Sequence, residues 1–156
     1  HTSQDENGDL EESDHAAQDM IQHVSLLLSF FANEEASSHE DLCEMLRKTC
    51  PDASEGVMSA FANVDRAHFL PEGSEDRAYV DAPLRFDLVH QSAPSIYAAA
   101  LEALDLQQGL SFLNIGSGSG YFSALAAQLL GPHSVHIGLE IQAELVQHAR
   151  ERCDAL

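Results

Sequence analysis

Residues 110–122, Leu110-Ser-Phe-Leu-Asn-Ile-Gly-Ser-Gly-Ser-Gly-Tyr-Phe122, pass from an apolar run through three alternating glycines into an Ala/Leu-rich helical pattern. A strand that enters a glycine turn opening a helix is how α/β proteins bring backbone amides against a nucleotide-like ligand. Glycine permits φ > 0 and close approach without a Cβ in the way. The spacing of Gly116, Gly118 and Gly120 narrows the ligand. A dinucleotide fingerprint reads G-x-G-x-x-G, whereas here the position after Gly120 is Tyr121. A P-loop needs Gly-Lys-Ser/Thr, and no lysine is near. The spacing predicts an S-adenosylmethionine site. Glu140 follows Gly120 by 20 residues, at the end of the next apolar run. A carboxylate there can accept hydrogen bonds from both ribose hydroxyls of a nucleoside over the turn. His136, alternating with Val135 and Ile137, reads as a satisfied structural histidine.

These residues need elements to hold them. The pattern predicts a strand over Leu110–Ile115, a helix over Tyr121–Leu130, a strand over Val135–Glu140 and a helix over Ala143–Cys153. That β-α-β-α run is the opening half of a doubly wound parallel sheet. Upstream, apolar positions at helical spacing predict helices over residues 20–32, from near Ser38 to Lys48, over Ser54–Val64 and over Ser95–Leu106. Pro51 stops the second of these, and Gln107-Gln-Gly109 ends the fourth. Between the third and fourth lies a long irregular stretch with Pro71, Gly73, Pro83 and Pro94, a length that is commonly functional. Ser92-Ala-Pro94 on its own reads as a helix N-cap with proline at N1 or N2.

The 156 residues carry 26 acidic and 7 basic side chains, a formal charge of -19. Such a surface repels nucleic-acid phosphates and anionic membranes, so neither is expected as a partner. Residues 1–19 hold seven carboxylates and no base. They are expected to form a disordered tail, so that residues 1–37 are an acidic tail with one short helix. Cys43, Cys50 and Cys153 lack C-x-x-C spacing and read as free thiols of a cytoplasmic protein. Nine histidines show no ligand spacing, and no metal is expected. Val24–Ala32 is about half of the roughly 20 apolar residues a membrane span needs. The start at His1 suggests a fragment or a processed product, and because two parallel strands leave faces and an edge uncovered, truncation at the C-terminus is expected.

Three blocks resemble protein-L-isoaspartate O-methyltransferases: Leu113-Asn-Ile-Gly-Ser-Gly-Ser-Gly-Tyr121, Gln91-Ser-Ala-Pro94 with Ile96-Tyr97, and Val64-Asp-Arg-Ala-His-Phe69 with Tyr79-Val-Asp-Ala-Pro83. The resemblance covers about residues 38–156 and looks closest to the divergent "isoaspartate methyltransferase domain-containing" branch. It implies N-terminal helices followed by the first half of a Rossmann-like sheet, residues 38–156 being the N-terminal part of an S-adenosylmethionine-dependent domain. It implies that Ser92 is the active-site serine and that Val89, His90, Gln91 and Tyr97 line the donor site. Gly116, Ser117, Gly118 and Ser119 would form the donor-binding turn, and Glu140 and Ile141 the ribose and adenine contacts. The implied reaction esterifies the free α-carboxylate of L-isoaspartyl residues in damaged proteins, which are then its protein or peptide partners.

A carboxylate is already ionised at neutral pH, so no base need remove a proton. What the enzyme supplies is alignment and partial stripping of water, and a serine hydroxyl can align such a carboxylate. Three positions depart from the family pattern: Asn114 replaces an acid, Tyr97 a histidine, and Ser95 is atypical. They favour an alternative, a catalytically weak S-adenosylmethionine-binding recognition module of a larger protein. A nicotinamide dehydrogenase is disfavoured by Tyr121.

Overall fold

The computed structural model describes residues 36–156; the acidic tail and the helix expected over 20–32 lie outside these residues. Helix α1 spans His39–Thr49. The Ser38 hydroxyl caps it by accepting the Asp41 N–H at 3.1 Å. Glu40 and Asp41 lie in its first turn and Arg47 and Lys48 in its last, each on the favourable end of the dipole. Helix α2, Glu55–Asn63, is capped by Ser54, whose own N–H is taken by Glu102 at 2.7 Å.

The long stretch expected to be irregular holds more order than its prolines suggested. Single 3₁₀ turns occur at Ala67–Phe69 and Glu75–Arg77. Strands β1 (Leu84–Phe86) and β2 (Val89–Gln91) then form an antiparallel hairpin, Leu84 opposite Gln91. Asp87 makes its turn at φ 50°, a left-handed conformation aspartate tolerates. Helix α3 runs Pro94–Leu104, two residues short of expectation, because Asp105 takes a left-handed conformation at φ 44°.

The β-α-β-α run appears as expected: β3 (Phe112–Ile115), α4 (Tyr121–Leu130), β4 (His136–Leu139) and α5 (Ala143–Asp154). β3 and β4 are parallel, registered from Phe112 opposite His136 to Ile115 opposite Leu139. One sheet face packs on α4, where Phe112 meets Phe122 at 6.0 Å and Asn114 donates to the Ser123 hydroxyl at 3.0 Å. On the other face Leu113, Ile115, Ile137 and Leu139 are each half exposed or more. The main core lies among the helices, around Leu46, Phe61, Leu101, Tyr121 and Leu125. A smaller one, Leu70, Ala78, Leu84, Val89 and Leu145, lies under the hairpin. Among the described residues no helix is long and apolar enough to cross a membrane.

Candidate donor and acceptor site

The glycine turn joins β3 to α4 and is fastened to the end of β4. The N–H groups of Gly116 and Ser117 both donate to the Leu139 carbonyl, at 2.7 and 3.0 Å. Gly118, at φ 55°, lies against the hairpin: a Cβ built there would sit 3.6 Å from the His90 carbonyl oxygen. Gly120, at φ 91°, is the contact with α5, where a Cβ would meet that of Ala149 at 3.1 Å and the Cys153 sulfur at 3.2 Å. The Ser117 side chain folds onto β4, its Oγ 2.9 Å from where a Cβ on Gly138 would be.

Glu140 closes over this turn. Its Oε2 accepts the Gly118 N–H at 2.9 Å, and its Oε1 accepts those of Ile141 and Gln142 at 2.8 and 3.1 Å. The Gln142 amide, helped by those of Gly118 and Ile141, holds the carboxyl below the usual range against an opposing effect of burial. A carboxylate offers about four lone-pair directions, so one remains for a ligand hydroxyl. Ile115, at the end of β3, and Ile141, two residues past β4, are 77% and 93% exposed. Their bare apolar surface beside the turn suits a flat purine, and the open cradle at Gly116, where an added Cβ would meet nothing within 4 Å, suits the rest of a nucleoside donor.

The segment after β2 carries Ser92, the serine expected at the acceptor side. Ser92 is partly exposed, and its hydroxyl has no hydrogen-bond partner among the described residues. Its backbone is held at both ends: the N–H donates to the Tyr97 hydroxyl at 2.8 Å, and the carbonyl accepts from Arg66 at 3.0 Å. Ser92 is not the N-cap that Ser-Ala-Pro suggested. Ala93 occupies that position, Pro94 is the first helical residue, and the Asp81 carboxylate accepts the Ser95 N–H at 2.9 Å. The cap thus comes from a distant loop and does not use the Ser92 hydroxyl.

Of the remaining residues expected around the donor, His90 presents its carbonyl to Gly118. Gln91 and Ser119 are both buried and hydrogen-bonded to each other at 3.0 Å. Val89 is buried in the small core with Leu84 and Leu145, so its side chain packs among core residues. Tyr97 turns inward, stacked on Phe122 at 5.1 Å. Two residues with clear work here went unassigned in the sequence, Arg66 and Asp81. Both stand in the blocks that carry the resemblance, yet nothing in their spacing marks a buried cation or a remote cap. His136 corrects the expectation of a satisfied histidine: its Nε2 is buried without a partner among the described residues, and burial lowers its pKa.

A profile of the protein-L-isoaspartate(D-aspartate) O-methyltransferase family matches residues 37–156. The chain is 37% identical over 118 residues to protein-L-isoaspartate O-methyltransferase 2 of Archaeoglobus fulgidus, covering 75% of this chain and 53% of that protein. It is 39% identical over 114 residues to the Methanopyrus kandleri protein-L-isoaspartate O-methyltransferase, covering 72% and 50%. The chain therefore spans about half the length of the curated relatives it matches. Among solved structures, a protein-L-isoaspartate O-methyltransferase superposes with a TM-score of 0.66 at 24% identity, over 76% of this chain and 38% of that one. A Plasmodium falciparum protein of the same description, in complex with S-adenosyl-L-homocysteine, superposes with a TM-score of 0.64 at 27% identity, over 75% and 55%. On its fold, its glycine turn and this match, the chain belongs to the protein-L-isoaspartate O-methyltransferase family.

Proposed function

We propose that this protein binds S-adenosylmethionine over the glycine turn and methylates the free α-carboxylate of L-isoaspartyl residues in proteins or peptides. The observation that carries the reading is the meeting of two segments: the Ser92 loop reaches the glycine turn through the His90 carbonyl at Gly118 and the Gln91–Ser119 hydrogen bond. The donor, when bound, supplies an electrophilic methyl on a sulfonium. Gly116 and Gly118 would hold it by close backbone approach, Glu140 by its remaining lone pair, and Ile115 and Ile141 by apolar contact.

The chain's own task is alignment. The Ser92 hydroxyl, unpartnered among the described residues, donates to one oxygen of the substrate carboxylate and leaves the other to attack. Tyr97 and Arg66 fix the Ser92 backbone, so that hydroxyl has a defined place. No proton has to be taken up, because the carboxylate is ionised at neutral pH. Alignment of this kind is worth many-fold in rate, since near-attack geometry supplies much of an in-line displacement.

A second reading, a recognition module that binds the donor with weak turnover, is favoured by Asn114. Its amide is spent on Ser123 in the face against α4, and it brings no negative charge to the donor. Radiolabelled methyl transfer by the full-length protein separates the two. Incorporation into an L-isoaspartyl peptide, and none into the same peptide with normal aspartate, supports the enzyme. Donor binding by thermal shift without incorporation leaves the recognition module. Stabilisation by NAD in place of S-adenosylhomocysteine would remove both.

A further inference from the structure

Arg66 is fully buried, and each of its five N–H donors has an acceptor. Nε donates to Gln91 Oε1 at 3.0 Å; Nη1 donates to the carbonyls of Ala78 and Val80 at 3.2 and 2.9 Å; Nη2 donates to those of Ala82 and Ser92, both at 3.0 Å. A buried cation with no carboxylate bonded to it is costly to fold around. Here four of its bonds tie residues 78–82 to Ser92, reinforcing the Asp81 cap on the Ser95 N–H and the β1–β2 pairing that join the same segments.

The fifth acceptor leads further. Gln91, 1% exposed, turns its Nε2 to the Ser119 hydroxyl at 3.0 Å and to the Phe69 carbonyl at 3.3 Å. Among the described residues, the Gln91–Ser119 bond is the one side-chain hydrogen bond joining the Ser92 loop to the glycine turn. Rigid, fully satisfied buried networks of this kind specify one geometry.

We propose that Arg66, Gln91 and Ser119 are positioning residues, a buried relay that sets the separation between the Ser92 hydroxyl and the donor site. Its consequence for rate rests on the methyltransferase reading; its geometry does not. The relay is buried throughout, no member being more than 3% exposed. It acts by holding the Ser92 carbonyl at one end and the turn at the other, and an in-line transfer is sensitive to misplacement of about 1 Å.

The mildest probe is Ser119→Ala, which removes the link while Gln91 keeps Phe69 and Arg66 keeps all five acceptors. In the full-length protein the expected result is a kcat lower by about tenfold, with S-adenosylhomocysteine affinity changed by less than about threefold. Arg66→Lys keeps the charge but offers three donors to five acceptors, and kcat should fall by about 100-fold. Amide hydrogen exchange reads the relay without turnover. S-adenosylhomocysteine should slow exchange across residues 78–92 in the wild type and not in Ser119→Ala, although both bind it. An unchanged kcat, or equal protection in the variant, would overturn the relay. A wild type that fails to bind S-adenosylhomocysteine would overturn the methyltransferase reading instead. The unliganded proteins then decide the relay: faster exchange at Gly118–Gly120 in Arg66→Lys supports it, and equal exchange overturns it.

Discussion

The Gly118 amide donates to Glu140 Oε2 at 2.9 Å, so the middle glycine of the turn and the carboxylate just after β4 hold each other in place. The same carboxylate takes the first two amides after it, which makes Glu140 the joint between the turn and the start of α5. The proposed donor contact and local stability therefore fall on one side chain.

Glu140→Gln separates these through pH. Its carboxyl is held below the ordinary 4.5 by the Gln142, Gly118 and Ile141 amides. A folded-state pKa that is depressed contributes stability above the unfolded value and loses it as pH falls through the folded one. The variant should melt about 3 °C lower at pH 7. That gap should close as pH falls below the ordinary 4.5 and through the depressed folded value. S-adenosylhomocysteine affinity at pH 7 should drop by about tenfold. Melting curves with the same gap at both pH values would show that the three amide contacts do not depend on the charge.

Tyr97→Phe removes the acceptor for the Ser92 N–H and leaves the ring on Phe122. Since the phenol holds the Ser92 backbone, and on the proposal that Ser92 aligns the acceptor, methyl transfer to an isoaspartyl peptide should fall by about fivefold while donor affinity holds. A loss seen equally in kcat and in donor binding would place the effect in the fold rather than in Ser92.

How much of this could be read beforehand follows the physics of each element. The caps at Ser38 and Ser54 and the strand–glycine–helix run are local, set by residues within a turn of one another, and the sequence pattern places their ends within about two residues. The hairpin was not legible. Its strands are three residues each, too short for alternation to rise above chance, and Arg85 and His90 occupy its outward positions. Arg66 was hidden for another reason. A charged side chain is exposed by default, and its five partners come from segments up to 26 residues away. Asp81 caps a helix 14 residues on, beyond any capping pattern that reads adjacent residues.

Gly120→Ala tests the packing side of the turn. An added methyl meets both a positive φ of 91° and the Ala149 and Cys153 side chains of α5 at 3.1 and 3.2 Å. Gly73, at φ 81° with nothing within 4 Å, provides the strain alone. In urea denaturation Gly73→Ala should lose about 1 kcal/mol, and Gly120→Ala about 2 kcal/mol or more. Equal losses would deny Gly120 its role as the contact with α5.

His136 makes an acid-sensitive point on β4. Burial favours its neutral form, so its folded pKa lies below the ordinary 6.5. The unfolded chain then takes up the proton first, and the penalty, absent well above that pH, grows as pH falls below it. Between pH 7.5 and 5.5 His136→Phe should lose less stability than the wild type. The substitution keeps a ring against Phe112, now 6.0 Å from the imidazole. Denaturation midpoints that shift by the same amount in both proteins would clear His136 of any part in acid sensitivity.

Tyr121 stands where a dinucleotide fingerprint would carry its third glycine, and its location explains why a large residue is kept there. It opens α4 and is 1% exposed, with Phe69 and Tyr97 at 5.5 and 5.8 Å from its ring. Its hydroxyl is buried without a partner among the described residues, and burial pushes its pKa far up. The ring and the hydroxyl should therefore act in opposite directions. Tyr121→Phe keeps the ring and removes an unpaired polar atom, so stability should hold or rise by up to about 1 kcal/mol. Tyr121→Gly recreates the G-x-G-x-x-G spacing and empties the core, at a cost of about 4 kcal/mol. A Phe variant that lost more than about 1 kcal/mol in urea denaturation would mean that the hydroxyl is bonded in solution. Tyr121 would then be a polar member of the core rather than an apolar plug.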